Sequence, residues 1–167
     1  MSEIVNRVAQ SKLVTFNLED YYPKGERVLL DIKDWLYEDI ILREKEFRQY
    51  LEDHDWSQYQ DKYIALTCSS DAIIPGWAYM LIGTKLQPYC KRMVVGELEM
   101  LESSLYQDIL ENLDVSEYEG KPVIVKGCSN KPVPPNAYLW VTAKLQKVAR
   151  SVMYGEACSS VPLFKAK

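Results

Sequence analysis

The chain has 167 residues, of which 47% are apolar, and a net charge of −4 from 20 basic and 24 acidic residues. This length and composition are typical of one globular domain that folds without a metal or disulfide, so we predict a single domain over residues 1–167. The charges are mixed along the chain and form no basic stripe, which argues against nucleic-acid binding. No run approaches the roughly 18 apolar residues of a membrane span, and the start, MSEIVNRVAQ, lacks the pattern of a secretory signal. We therefore expect a cytoplasmic protein without nucleic-acid or membrane partners.

The predicted elements alternate between strands and helices. The first 25 residues are poorly patterned and are interpreted as an arm or an edge strand. Short β-branched or aromatic runs predict strands at 27–32, 62–67, 91–96, 122–126 and 151–155. Apolar residues at helical spacing, or charge-rich stretches, predict helices at 43–54, after Pro75, around 101–113 and after Pro134. This alternation favours an α/β fold with a largely parallel or mixed sheet and flanking helices.

The chain also resembles itself at a shift of 59 residues. From Pro75 to Glu97, eight of 23 positions are identical to those from Pro134 to Glu156, without a gap. Each copy is predicted to form a strand, a Cys-Ser loop, a helix and a second strand. We therefore predict an internal duplication with repeats at 57–97 and 116–156, related by a pseudo-twofold axis.

Three Cys-Ser pairs form the clearest chemical pattern. They are Cys68-Ser69, Cys128-Ser129 and Cys158-Ser159, and each comes at or within three residues of the end of a predicted strand. The carboxyl ends of parallel strands share one edge of a sheet, where sites in α/β proteins are built. In a reducing cytoplasm, such cysteines are thiols or ligands rather than disulfides. We therefore expect the three sulphurs to lie together at one edge.

Thiolates are ligands for zinc, iron and iron–sulphur clusters. Three cysteines leave a fourth ligand to be found, and the repeat alignment nominates Glu99, which occupies the place of Cys158. The predicted metal ligands are Cys68, Cys128, Cys158 and Glu99, around zinc, iron or an iron–sulphur cluster. No CxxC pair is present, so the pattern is less specific than most zinc motifs.

Two other functional classes stay open. A cysteine between a strand and a helix can be a nucleophile, which would make the chain a small thiol-dependent enzyme. Against this, no arginine follows Cys68 or Cys128 within seven residues, and His54, the single histidine, sits in a polar stretch typical of the surface. The cysteines could instead pack at strand ends in a structural or interaction domain without metal, as we expect for Cys90. Twelve tyrosines and four tryptophans suit either a core or a homo-oligomer interface.

The loop CSxxAIIP after KYIALT, the segment DWSQY and the run GEACSSVPLF together resemble one bacterial family. It is domain-of-unknown-function family 2480, found chiefly in the Bacteroidetes, and the resemblance extends from about Ile4 to the end. Genes of this family often lie near those of iron–sulphur cluster assembly. The resemblance therefore implies an iron or cluster role with iron–sulphur assembly proteins as partners. It carries no known activity, so whether the chain is an enzyme stays open.

Overall fold

Seven strands in two sheets and four α-helices make up the regular structure of the described chain. The structure is a computed structural model, and it describes residues 13–127, 130–156 and 158–167. The strands are β1 (Val14–Phe16), β2 (Arg27–Asp31), β3 (Tyr63–Thr67), β4 (Arg92–Val95), β5 (Pro122–Val125), β6 (Ser151–Glu156) and β7 (Ser159–Lys165). The helices are α1 (Glu44–Asp53), α2 (Gly76–Leu86), α3 (Leu98–Asn112) and α4 (Pro135–Gln146). None of these described helices is long and apolar enough to cross a membrane.

The chain divides into two compact units, which we describe separately. The middle unit is Pro23–Ser104, and the terminal unit joins the described residues up to Tyr22 with those from Leu105 onward. The single domain over 1–167 stays a prediction. The predicted repeats fall one in each, 57–97 in the middle unit and 116–156 in the terminal unit.

Each unit has an apolar strand between two parallel neighbours. In the middle unit β3 lies between β2 and β4 and runs parallel to both. In the terminal unit β5 lies between β1 and β6, again parallel to both, and β7 pairs with β6 in the antiparallel sense. Residues 63–66 of β3 and 123–125 of β5 are buried, as expected for the central strands of parallel sheets. The predicted α/β class with parallel and mixed sheets is confirmed.

The helices after the two central strands bury matching faces. Both begin directly after a proline, Pro75 for α2 and Pro134 for α4. Each fully buried valine, isoleucine or leucine on such a face contributes about 1.5–3 kcal/mol to folding. The order strand–helix–strand is the same in both segments, whereas the duplication itself stays a prediction. The buried positions are those expected from helical spacing: Ala78, Ile82 and Leu86 in α2, and Ala137, Val141 and Leu145 in α4.

Of the two edge strands of the terminal sheet, one was expected from the sequence and the other was not. β1 lies at one edge, in agreement with the edge strand expected within residues 1–25. β7, at the other edge, was not predicted, because its serines and Pro162 look like a loop. Proline is tolerated there because an edge strand needs hydrogen bonds on one side only. Met153 of β6 pairs with Pro162, and the pairing register shifts between Val152 and Met153, which indicates a β-bulge.

Candidate functional site

The carboxyl edge of the middle sheet collects polar side chains. β2 ends at Asp31, β3 at Thr67 and β4 at Val95, and because the strands are parallel these ends share one edge. Cys68 follows β3 directly, and Glu97 follows β4 after one glycine. This edge therefore has the placement at which α/β sheets carry ligands and catalytic groups.

Asp31 fastens the Cys-Ser loop to the end of β2. Its Oδ2 accepts a hydrogen bond from Ser69 Oγ at 2.5 Å, and its Oδ1 accepts one from Ser69 N at 3.2 Å. Oδ1 also accepts from Lys33 N at 3.0 Å, which caps the 3₁₀ turn that begins at Ile32. Burial raises the pKa of Asp31, but the hydrogen bonds from Ser69 and Lys33 and the Lys33 charge outweigh it, so the pKa lies below its ordinary value. Asp31 is therefore ionised near neutral pH, and it is the ionised carboxylate that holds the loop.

Cys68 is a free, partly buried thiol inside this fastened loop. Its sulphur lies 3.3 Å from Ser70 Oγ, and its apolar side packs against the core of the middle unit. Ser70 Oγ also accepts a hydrogen bond from Ala72 N at 3.4 Å. The loop thus places a thiol at the sheet edge, with a hydroxyl as its neighbour.

On the β4 side, a hydrogen bond joins the Glu97 carboxylate to the end of β3, and the predicted metal ligand Glu99 follows two residues later. Thr67 Oγ1 donates to Glu97 Oε1 at 2.7 Å, whereas Glu99 lies exposed in the first turn of α3. Gly96, between β4 and Glu97, has a φ of +141°, and a Cβ there would lie 2.9 Å from Met100. The chain therefore requires glycine to turn from β4 into the helix.

In the terminal unit an acidic side chain holds residues 130 and 131, ahead of α4, in a related way. Glu19 Oε1 accepts hydrogen bonds from the backbone N–H groups of Asn130 and of Lys131, the latter at 3.0 Å. Gly127, at the carboxyl end of β5, is covered by the ring of Tyr154, whose hydroxyl donates to the Gly127 carbonyl at 3.1 Å. In both units an acidic side chain at or just after the end of the first strand, Asp31 or Glu19, holds the segment after the central strand. Cys128 itself lies outside the described residues.

Cys158 has a different setting from Cys68. It is an exposed free thiol in the turn between β6 and β7. The turn lies at the carboxyl end of β6, as expected, but the residues after it continue as an antiparallel strand and do not lead to a helix. The third Cys-Ser segment is therefore part of a β-hairpin.

The predicted metal ligands are distributed over both units. Cys68 and Glu99 belong to the middle unit and Cys158 to the terminal unit. Within the ranges that the structure describes, no three His, Cys, Asp or Glu side chains form a group able to hold a metal ion. Because Cys128 is not among these residues, the set of Cys68, Cys128, Cys158 and Glu99 stays a prediction.

His54 is more enclosed than its polar neighbours in sequence suggested. Its Nε2 shares a hydrogen bond with the Tyr59 hydroxyl at 2.7 Å. The rings of Trp35 and Trp56 stand edge-on to it, with centroids at 5.1 and 4.7 Å. Burial lowers the pKa of His54, and the nearby Asp55 charge opposes this in part. His54 is therefore a half-buried residue, with Trp35 packed against its ring from a different part of the chain.

Cys90 packs against the core of the middle unit, as expected for a cysteine with a packing role. Burial raises the pKa of its thiol, with a backbone hydrogen bond opposing. The Cys90 sulphur therefore stays protonated near neutral pH and is a suitable control for the other cysteines.

The fold and this edge define an α/β protein with thiol and carboxylate groups at strand ends. The chain belongs to domain-of-unknown-function family 2480 (protein of unknown function, DUF2480), whose family model matches residues 2–166. A search of curated proteins found no match. A search of solved structures found none either.

Proposed function

We propose that this protein is a metal-binding accessory protein that holds zinc, iron or an iron–sulphur cluster through strand-end cysteines. It would take part in metal or iron–sulphur homeostasis in a reducing cytoplasm, with iron–sulphur assembly proteins as its partners. The observation that carries the proposal is the position of Cys68, a free thiol directly after the central parallel strand β3. Thiolates are preferred by these metals, and this edge is where α/β sheets carry ligands.

The surroundings of Cys68 support a ligand role over a catalytic one. In the described part of the chain, the polar contact of its sulphur is the Ser70 hydroxyl. Such a contact supplies neither a general base nor a cation, which a thiol nucleophile needs. The two hydrogen bonds between Ser69 and Asp31 hold the loop in place. A fixed loop reduces the entropy that the thiol would lose when it binds a metal.

The proposal makes Cys128 indispensable. The described residues contain no complete ligand group, so a site requires a thiolate from the second Cys-Ser loop. Cys158 and Glu99 are the proposed remaining ligands. Zinc accepts sulphur and carboxylate together, so this donor set suits it, and a cluster with one non-cysteine ligand also occurs.

Metal content is the test. Protein purified without a histidine tag and without oxygen is analysed for transition metals by mass spectrometry, as wild type and as Cys68→Ser, Cys128→Ser and Cys90→Ser. The wild type should carry zinc or iron, and the first two variants should lose most of it while Cys90→Ser retains it. Absence of transition metal from both anaerobic and aerobic preparations would refute the proposal, as would equal loss in all three variants.

A further inference from the structure

An exposed apolar groove lies on the middle unit. Its volume is about 680 Å³, and its apolar walls include Ile40, Ile41, Ile73 and Trp77. Ile73, in the loop that leads into α2, is 91% exposed. A second hollow, also lined by Trp77, adds Met80, which is 74% exposed. Large apolar side chains grouped in this way mark a binding surface more often than single exposed ones do.

The turn that carries two of the isoleucines is held in an unfavourable backbone conformation. Glu38 and Asp39 have φ angles of 50° and 62°, in the left-handed region that residues with a Cβ avoid. Two hydrogen bonds between the backbones of Tyr37 and Ile41 close the turn, at 2.7 and 3.0 Å. Ile40 and Ile41, which follow these two residues, are about half exposed. Strain of this kind is concentrated at functional sites.

The groove is also ordered before any partner arrives. The guanidinium of Arg43 lies 3.3 Å from the centroid of the Tyr37 ring. Arg48 lies over Trp77 at 5.8 Å and donates to Glu44 Oε1 at 3.1 Å. These contacts fix the aromatic rings beside the groove. A surface that is already ordered loses little entropy on binding.

The border of the groove is acidic. Glu44 and Asp71 line it, and the two arginines beside it are already paired, Arg48 with Glu44 at 3.1 Å and Arg43 with Glu46 at 3.4 Å. Among the described residues no basic side chain forms an ion pair with Asp71. The neighbouring turn adds the exposed carboxylate of Glu38, while that of Asp39 pairs with Lys33 Nζ at 3.9 Å, so Asp71 and Glu38 carry the surplus negative charge. A partner that fills the groove must therefore bring apolar side chains with positive charge beside them.

We propose that this groove binds a segment of a partner protein in which apolar side chains are flanked by lysine or arginine. The proposal is independent of metal binding, since no groove residue is a predicted ligand. Two copies of this chain joined through the groove would bring acidic borders together, and the chain already carries a net charge of −4. Charge therefore favours a basic partner over self-association through this surface.

The probe is a short fluorescein-labelled peptide of leucine and lysine, matched by a second peptide with glutamate in place of lysine. Fluorescence anisotropy measures binding of each to the full chain. The wild type should bind the lysine peptide and not the glutamate peptide. Ile73→Ser removes an almost fully exposed side chain, so it should leave folding intact and weaken binding about tenfold. Asp71→Lys should weaken binding of the lysine peptide and strengthen binding of the glutamate peptide.

The matched controls lie in the terminal unit. Leu139→Ser removes another largely exposed apolar side chain, and Glu119→Lys reverses another exposed charge. Both variants should bind the lysine peptide with a dissociation constant within about twofold of the wild-type value, because remote surface changes have small effects. Three results would overturn the proposal: neither peptide binds, the controls weaken binding as much as the groove variants, or the wild type is a dimer that Ile73→Ser converts to a monomer.

Discussion

Asp31 and Ser69 are 38 residues apart in sequence and are joined by two hydrogen bonds, one from the serine hydroxyl and one from its backbone N–H. Through this contact the end of β2 fixes the loop that carries Cys68. The same carboxylate caps the 3₁₀ turn after β2 by accepting from Lys33 N. One side chain thus sets both the local turn and the position of the candidate ligand.

Replacing Asp31 by alanine should destabilise the middle unit by about 1–3 kcal/mol, since a cap and two further hydrogen bonds are lost. Urea unfolding measures the change. Asp34→Ala, at an exposed position in the adjacent turn, is the control and should change stability by less than about 0.5 kcal/mol. Equal effects of the two substitutions would show that the Asp31 contacts contribute nothing specific.

The ionisation of Asp31 also predicts a pH dependence. Its pKa in the folded protein lies below the ordinary value of 3.8. Its contribution is therefore fully present above pH 3.8 and is lost as the pH falls through the lower, folded value. Asp31→Asn should flatten the acid limb of the stability curve. An unchanged acid limb in this variant would contradict the assignment.

The ion pair between Arg27 and Glu102 should be costly to break on one side only. Arg27 Nε donates to Glu102 Oε1 at 2.6 Å, and the exposed fractions of the side chains are 11% and 6%. Arg27→Met leaves a buried carboxylate without this partner and should cost about 3–5 kcal/mol. Changing both residues to apolar ones should recover most of that loss.

Urea unfolding of the two single variants and the double variant measures this coupling. The more exposed pair Lys62–Glu26 is the control, and Glu26→Gln should cost less than about 1 kcal/mol. A double variant as unstable as the sum of the single ones would show that the two charges do not act together.

His54 should titrate below the ordinary histidine value of 6.5, because burial disfavours its charged form. Proton NMR measures this directly, since the chain has one histidine. The lowered pKa means that the His54 contribution to stability is fully present above pH 6.5 and is lost as the pH falls through the folded pKa. Tyr59→Phe removes the hydroxyl that contacts Nε2 and serves as the companion variant. A titration midpoint at or above 6.5 would contradict the lowered pKa.

The sequence predicted the elements whose signals are local. The β-branched run at β3 and the helical spacing of Ala78, Ile82 and Leu86 each identify an element without reference to the rest of the chain. β7 was missed because Pro162 and the serines before it carry no strand signal, and its pairing with β6 arises from the hairpin.

The candidate site was predicted only in part, for the same reason. The strand-end position of Cys68 follows from the order of elements. The Asp31–Ser69 contact, the Thr67–Glu97 contact and the approach of Trp35 to His54 depend on tertiary packing, and no local spacing encodes them. The side chain that reaches the end of β3 is Glu97, and the ligand role predicted for Glu99 from the repeat alignment stays a prediction.

Anaerobic titration of the metal-free full chain with cobalt(II) tests the central proposal most directly. Cobalt replaces zinc in thiolate sites, and sulphur-to-cobalt charge transfer gives a near-ultraviolet absorption that oxygen and nitrogen ligands do not produce. We predict that this absorption appears in the wild type and in Cys90→Ser, saturates at one equivalent or less, and is lost in both Cys68→Ser and Cys128→Ser. A wild-type chain without the absorption, or an absorption that survives both substitutions, would contradict a metal site built from the strand-end cysteines.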